Sequence, residues 1–323
     1  MKIKDLTVGS LCEITLVVKS ATARETKAKK PYLQLEFFDG TDTIAANYWD
    51  WTSGKVPEVN SILDIQGQVT EWMGRTQLTV RSMVTNTTKT LSEFAPNSGV
   101  NLSDVYKDAY ELLSAVNDDM LRSLSLAILE ELKTYWLTVP GAVSVHHNYI
   151  GGTLVHSVSA AKIAKAIAQN VPEANVDLCV VGALLHDLGK LYTYRMHGVS
   201  IEMTDEGILY EHSFIGAEFI GNFADAHLDT DNPENERKLR VLRHIILSHH
   251  GKLEYGAAIT PKCIEAFIVS HADGIDATVE QIRAAANKST ANTKWTERIY
   301  TLNNCQVLKP DYIADVFAVE ETV

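Results

Sequence analysis

The chain has 323 residues, 46% of them hydrophobic, and a net charge of −12. That length divides into about two domains, with ample apolar content for packed cores and no repeat or low-complexity run. The acidic balance argues against wrapping duplex nucleic acid by field alone. No apolar stretch approaches the ~20 residues of a membrane span, and residues 1–5 lack a signal-peptide apolar region. A soluble cytoplasmic protein with no membrane partner is expected. The four cysteines, Cys12, Cys179, Cys263 and Cys305, form no CxxC pair and read as reduced, buried thiols.

From the amino terminus, apolar and β-branched runs predict five short strands, over residues 11–19, 32–38, 43–49, 61–71 and 77–84. Asp39-Gly40 and Met73-Gly74 supply turns. Five such strands suit an OB-fold barrel. Residues 1–100 carry eleven basic and eleven acidic side chains, so the whole negative excess lies beyond them. Between the first two strands, Lys19, Arg24, Lys27, Lys29 and Lys30 cluster against only Glu25. Two readings stand: a solvated hairpin loop, or a phosphate-contacting loop beside aromatic stacking platforms. Tyr32, Phe37, Tyr48, Trp49, Trp51 and Trp72 are the candidate platforms, although several must fill the barrel.

Residues 85–99, rich in Thr, Ser, Asn and Pro, read as a linker. Helical apolar spacing follows over 101–116, 120–136, 153–170, 176–187, 212–223, 235–248 and 261–283. A small hairpin over 198–209 is the extended piece expected among them, and the tail from Asn287 has no firm period and is expected to fold back as short extended pieces. The expected architecture is multidomain α and β. A five-stranded OB-like barrel (1–88) and a linker (89–100) precede an all-α domain (101–290) and a tail (291–323).

Within the helical part, histidines and aspartates recur in one order: His156, His186-Asp187, His212, His249-His250 and Asp273. Each falls beside a predicted helix, so distant points can converge, and imidazole nitrogens with carboxylate oxygens suit first-row divalent metals. In Val181-Gly182-Ala183-Leu184-Leu185-His186-Asp187-Leu188-Gly189-Lys190 an apolar helix ends in two ligand-type residues, then a glycine able to close it. Burying an imidazole and a carboxylate in an apolar wall is costly unless something positive is bound there; a satisfied core histidine with a capping aspartate is the alternative. Lys190 either meets a phosphate oxygen as a point charge or is a solvated lysine at a helix C-terminus. His146 and His147, ahead of a turn at Gly151-Gly152, read as substrate-positioning or ligand-supporting groups. His244 reads as structural, His271 as packing against or supporting the site, and His197 and His227 as surface residues.

These residues resemble the HD phosphohydrolase superfamily, whose signature of a histidine, a His-Asp pair and a distal aspartate is matched by His156, His186, Asp187 and Asp273. Members with two metals add histidines in the interval that holds His212, His249 and His250. The resemblance implies Asp187 as bridging ligand, Asp273 on the first metal, and His212 with one or both of His249 and His250 on the second. A barrel ahead of such a domain is similar to the YhaM-type 3′–5′ exoribonucleases of Gram-positive bacteria. The residues that carry this are Val145-His146-His147, the 184–190 run, Thr204-Asp205-Glu206-Gly207 leading to His212, Leu247-Ser248-His249-His250-Gly251-Lys252, Pro261 with Glu265-Ala266, Asp273 with Asp276-Ala277, and Trp295-Thr296-Glu297-Arg298. Gly274, Ala257-Ala258 and Asn304-Cys305-Gln306 depart from that family's pattern, without loss of a ligand.

The resemblance implies hydrolysis of single-stranded RNA from its 3′ end to nucleoside monophosphates, with single-stranded DNA as a further substrate. It implies two divalent ions, Mn²⁺ foremost, and a homo-oligomer. Asp187 and Lys190 are then the catalytic candidates, and His146, His147, Lys27, Lys29 and Lys30 the substrate contacts. Two other readings stay open: an HD-type nucleotide or cyclic-nucleotide phosphohydrolase, which needs the site but no barrel, and a binding protein, which needs the barrel and tolerates a dead site.

Overall fold

The computed structural model describes residues 1–52, 54–96, 99–143, 147–288 and 293–317. The chain divides into two compact units, residues 1–99 with 196–201, and residues 100–195 with 202–323.

In the first unit, β1 (Leu11–Glu25), β2 (Pro31–Phe38), β3 (Thr43–Tyr48), β4 (Ile62–Trp72) and β5 (Arg75–Thr85) close into a barrel in the order β1-β2-β3-β5-β4. The β3–β5 pairing is parallel and the others antiparallel. Closure of this OB-like barrel removes exposed sheet edges. Alternate residues point inward, so Leu16, Leu33, Phe37, Ile65, Leu78 and their neighbours fill the interior.

β1 runs six residues past its expected end. Its second half, Ser20 to Glu25, is small and polar, yet it pairs with β2 up to Glu25 opposite Pro31, after a bulge between Val18 and Ser20. Lys19 and Arg24 therefore lie on the strand and not in the loop, which is only Thr26 to Lys30. The loop is closed by Thr26 N–H to Lys30 O (2.9 Å), with Lys29 left-handed at φ 56°. The turn after β2 is organised by buried Asp39, which accepts from Ile3 N (2.6 Å), Thr41 N (2.8 Å), Thr41 Oγ1 (2.7 Å) and Asp42 N (2.8 Å). Burial alone would raise its pKa, but these donors together hold the carboxyl below its ordinary value. Phe94 is buried in a small cluster with Val17, Phe38, Ile62 and Val199.

The rest of the chain supplies α1 (Leu102–Ser114), α2 (Asp119–Glu131), α3 (Lys133–Thr138), α4 (Gly152–Ala168), α5 (Val176–Leu185) and α6 (Lys190–Thr193). After the hairpin β6 (Tyr194–His197) and β7 (Ser200–Met203) come α7 (Asp205–Tyr210), α8 (His212–His227), α9 (Pro233–Ser248), α10 (Ile264–Lys288) and α11 (Pro310–Phe317). The helix expected over 120–136 breaks at Leu132, which leaves the helical region at ψ 16°. The hairpin sits further toward the amino terminus than expected, because Thr204 caps a helical turn by accepting from Gly207 N (3.0 Å), turning 205–210 helical. The tail holds two isolated bridges, Trp295–Leu308 and Ile299–Cys305, and a helix.

From Cys179 to Leu185 α5 is apolar on every face and buried, so it forms the axis of the helical unit, packed on α4, α9 and α10. Its start is fixed by Asn175, which accepts from Leu178 N (2.9 Å). Among the described residues no helix is long and apolar enough to cross a membrane. Cys12 and Cys179 are buried as expected, but Cys263 is half-buried and Cys305 is exposed, since the tail segment carrying it lies outside the packed core. Burial pushes the Cys179 thiol up to about 12.

Candidate metal centre

α5 delivers its last turn into the interior of the helical unit, so His186 and Asp187 are 0% and 1% exposed. His186 ends the helix and donates Nδ1–H back to Ala183 O (2.6 Å), which directs Nε2 inward. α9 repeats the device: His249 follows its last residue and donates Nδ1–H to Ile246 O (2.6 Å). On α4, His156 turns Nδ1 to Asp276 Oδ2 (2.7 Å), and at the start of α8 His212 turns Nδ1 to Glu211 Oε2 (2.7 Å). Four imidazoles from four helices thus have Nδ1 engaged and Nε2 aimed at the centre, the arrangement that fixes tautomer and aim in metal-ligating histidines.

Gly189, read as able to close the helix, has ordinary helical backbone at φ −60°. A Cβ on it would overlap the His212 carbonyl oxygen and lie 2.7 Å from its carbon and 2.8 Å from Gly216 N. The missing side chain lets α8 approach closely enough to bring His212 to Asp187. Gly151, at φ 72°, makes the expected turn into α4.

The two oxygens of Asp187 face different partners. Oδ2 is 3.4 Å from both His156 Nε2 and His186 Nε2, whereas Oδ1 is 3.3 Å from His212 Nε2 and 3.7 Å from His249 Nε2. Asp273 Oδ1 lies 3.1 Å from His156 Nε2 and 3.9 Å from His186 Nε2. Neither Asp187 oxygen has a hydrogen bond of proper geometry, and His250 Nδ1 is buried without a partner. The ring nitrogens also crowd one another: His156 and His186 Nε2 are 3.1 Å apart, His212 and His249 Nε2 3.3 Å. Unshared lone pairs converging on buried carboxylate oxygens fit cations. Among the described residues, four groups have ligand atoms within 4.8 Å of one another, three of them at this centre: His156-His186-Asp187, His186-His249-Asp273 and His212-His249-His250.

Charge follows the same geometry. Burial raises the Asp187 pKa but Lys190 and His186 outweigh it, holding the carboxylate well below its ordinary value. Burial lowers His156, yet Asp273 and Asp276 push it up to about 10. Burial and the neighbouring imidazoles His250, His186 and His212 push His249 well down, toward the neutral, ligating form. Lys190 is 8% exposed, with Nζ 2.7 Å from Asp187 Oδ2, which excludes a solvated lysine. Its pKa is raised, since Asp187 outweighs the effect of burial.

All seven expected ligands converge. Two carboxylates beside them went unassigned in the sequence. Asp276 accepts from His156 and from His147 Nε2 (2.8 Å), one helical turn beyond Asp273 on α10. Glu211 precedes His212, and its pKa is lowered by that contact despite burial. The i,i+3 spacing of Asp273 and Asp276 was the available signal; for Glu211 adjacency was the only one. His147 is buried with both ring nitrogens engaged, by Asp276 and Tyr149, which is the ligand-supporting one of its two expected positions and not the substrate contact the resemblance implied, whereas His146 lies outside the described residues. His244 is structural, accepting from Lys262 N (2.9 Å). His271 is exposed on the wall of a 590 Å³ pocket that also reaches Asp187, Lys190, His249 and Asp273.

Residues 153–278 match the HD domain family. The matched segment includes every ligand candidate from His156 to Asp273, together with Asp276. HD domains bind divalent metals and act as phosphohydrolases; here the HD-matching segment lies within the part of the chain that follows the OB-like barrel in sequence. The barrel is similar to the second OB-fold domain of replication protein A from Methanococcus maripaludis, with 17% identity and a TM-score of 0.24 over 28% of this chain and 97% of that one. It is also similar to a replication protein A heterotrimer bound to single-stranded DNA, with 15% identity and a TM-score of 0.22 over 28% of this chain and 67% of that one.

The barrel carries its own candidate surface. Tyr32 and Trp49 stack with centroids 4.6 Å apart, and Trp49 is 41% exposed. Arg24 pairs across from Tyr32, so basic and aromatic groups share one end of the β1–β2 hairpin. Lys30 Nζ is 3.7 Å from Asp50. Of the other aromatic candidates, Phe37 is core, Tyr48 and Trp51 are half-buried against the core, and Trp72 is exposed.

Proposed function

We propose that the chain is a metal-dependent 3′–5′ exoribonuclease of the YhaM type, acting on single-stranded RNA, and on single-stranded DNA as a second substrate, to release nucleoside monophosphates. The observation that carries this reading is Asp187, a buried carboxylate that turns each oxygen to a separate pair of imidazole Nε2 atoms. The donor set suits two first-row divalent ions, and the resemblance to the YhaM type puts Mn²⁺ foremost among them. One is assigned to His156, His186, Asp187 and Asp273, the other to Asp187, His212, His249 and His250. When bound, such a pair makes hydroxide available near neutral pH and neutralises phosphoryl oxygens.

The remaining work falls to the chain itself. Asp276 and Glu211 hold the tautomers of His156 and His212, and His147 holds Asp276 in turn. Lys190 keeps its proton beside Asp187 and reaches the pocket, where it meets a phosphate oxygen as a fixed positive charge. Asp187 itself is buried, so bulk water has little access to it. On the barrel, the Tyr32–Trp49 stack beside Lys27, Lys29 and Lys30 suits bases and backbone of a single strand. A barrel with balanced charge in an otherwise acidic chain leaves that end the place where a polyanion is least repelled. The barrel (1–88) and catalytic domain (101–290) act as separate parts within a homo-oligomer, a state that light scattering reads directly.

A nucleotide or cyclic-nucleotide phosphohydrolase would use the same pocket but leave the barrel's stack and basic loop without a role. The two readings separate on 5′-end-labelled single-stranded RNA with Mn²⁺ and with EDTA. Stepwise shortening from the 3′ end, abolished by EDTA, is expected. Intact RNA alongside hydrolysed mononucleotides would select the other reading.

A further inference from the structure

Gly274 follows Asp273 in the interior of α10, a 25-residue helix, and its φ is not positive. A Cβ there would meet nothing within 4 Å. Glycine inside a helix costs stability relative to alanine, so neither the backbone nor the chain's own packing calls for one here. Its bare surface faces the 590 Å³ pocket, within the range of small-ligand sites, ~300–1,000 Å³. Ser270, Gly274 and Ala277 stand three and four residues apart on that face and leave a trough along α10, with the ring of Phe267, 51% exposed, at its far end. The same pocket reaches Asp187, whose Oδ2 is ion-paired with Lys190 and whose Oδ1 is buried without a hydrogen bond.

We propose that this trough receives the nucleoside of the nucleotide being cleaved. Gly274 keeps the space beside Asp273 clear for it, and Phe267 offers a stacking face; the inference rests on the phosphodiesterase reading above. Gly274 is then a specificity-determining position that leaves metal binding to its neighbours.

The test uses the full chain loaded with Mn²⁺, as wild type, Gly274→Ala, Gly274→Leu and Phe267→Ala. Thermal midpoint and Mn²⁺ content are measured, with calorimetric affinity for adenosine 5′-monophosphate and, separately, inorganic phosphate. Gly274→Ala is expected to raise the midpoint, since it adds helix propensity in open space. All variants should keep their Mn²⁺ and their phosphate affinity within about twofold, while Gly274→Leu and Phe267→Ala weaken the nucleotide by about tenfold or more. Unchanged nucleotide affinity in Gly274→Leu, or, should that variant not fold, in Phe267→Ala, would overturn the proposal. So would loss of Mn²⁺ in Gly274→Ala, which would make the glycine part of the metal site's packing. A wild type that binds the nucleotide with this pattern but leaves RNA intact would refute the exonuclease reading alone.

Discussion

Gly189→Ala tests how the HD motif and α8 are held together. The added Cβ would sit 2.7 Å from the His212 carbonyl carbon and 2.8 Å from Gly216 N, closer still to the His212 oxygen. Non-bonded carbon contacts settle near ~3.5–4.0 Å, so α8 must retreat by about 1 Å. His212 Nε2, now 3.3 Å from Asp187 Oδ1, travels with it. Overpacking of this kind costs ~1–3 kcal/mol, of which the lost glycine freedom returns ~0.4–1. A net loss of about 1–2 kcal/mol lowers the melting temperature by a few degrees in a domain of this size. Function should suffer more, because a misplacement of about 1 Å can cost ~100-fold in rate. Circular-dichroism melting, metal analysis and RNA hydrolysis on one preparation read all three quantities. The variant should remain folded, lose one of two bound ions and lose most activity. Full metal content with wild-type activity would refute the idea that this glycine sets the position of His212.

Asp187→Ala should abolish hydrolysis and, in EDTA, destabilise the helical unit by ~3–5 kcal/mol, because Lys190 is left as an uncompensated buried charge; adding Lys190→Met should return most of that stability in urea titrations, and equal stability of single and double variants would contradict the pairing. Asp39 gives a pH dependence in the barrel. Its folded pKa lies below the unfolded ~3.9, so its contribution is complete above that value and is lost as pH falls through the folded one. Asp39→Asn should therefore speed amide exchange in β2 and β3 at pH 7 but differ little from wild type in strong acid; an equal difference at both would show that the charge is immaterial. Replacing Lys27, Lys29 and Lys30 with alanine should flatten the salt dependence of single-stranded RNA binding by up to about 2 in log–log slope, at ~0.7 per phosphate contact; an unchanged slope would mark the loop as a solvated hairpin.

Much of the centre was legible because ligands at helix ends leave a local signature. Residues 181–190 read as an apolar helix running into a His-Asp pair, and α5 is such a helix. The remaining ligands were legible as types in an order, while their convergence on the two sides of Asp187 was not, since it depends on how α4, α8, α9 and α10 pack around α5. Asp276 entered only as part of the family resemblance, without a role, and Glu211 was missed, because a carboxylate that supports a histidine looks the same in sequence as one in water. The strands were found where they alternate. The second half of β1 was missed because Ser20 to Glu25 draws its stability from pairing with β2 and hardly from burial. Gly207, within 3.0 Å of Thr193 for any added Cβ, and the Thr204 cap were visible as residues, but the short α7 they build was hidden by alternation that resembles a strand.

The most direct test of the central claim is the position of metal in crystals of the full chain grown with Mn²⁺, read by anomalous scattering. Two peaks are predicted, one on each side of Asp187, the first bounded by His156, His186 and Asp273 and the second by His212, His249 and His250. A single peak, or none touching Asp187 in protein that hydrolyses RNA, would contradict the account.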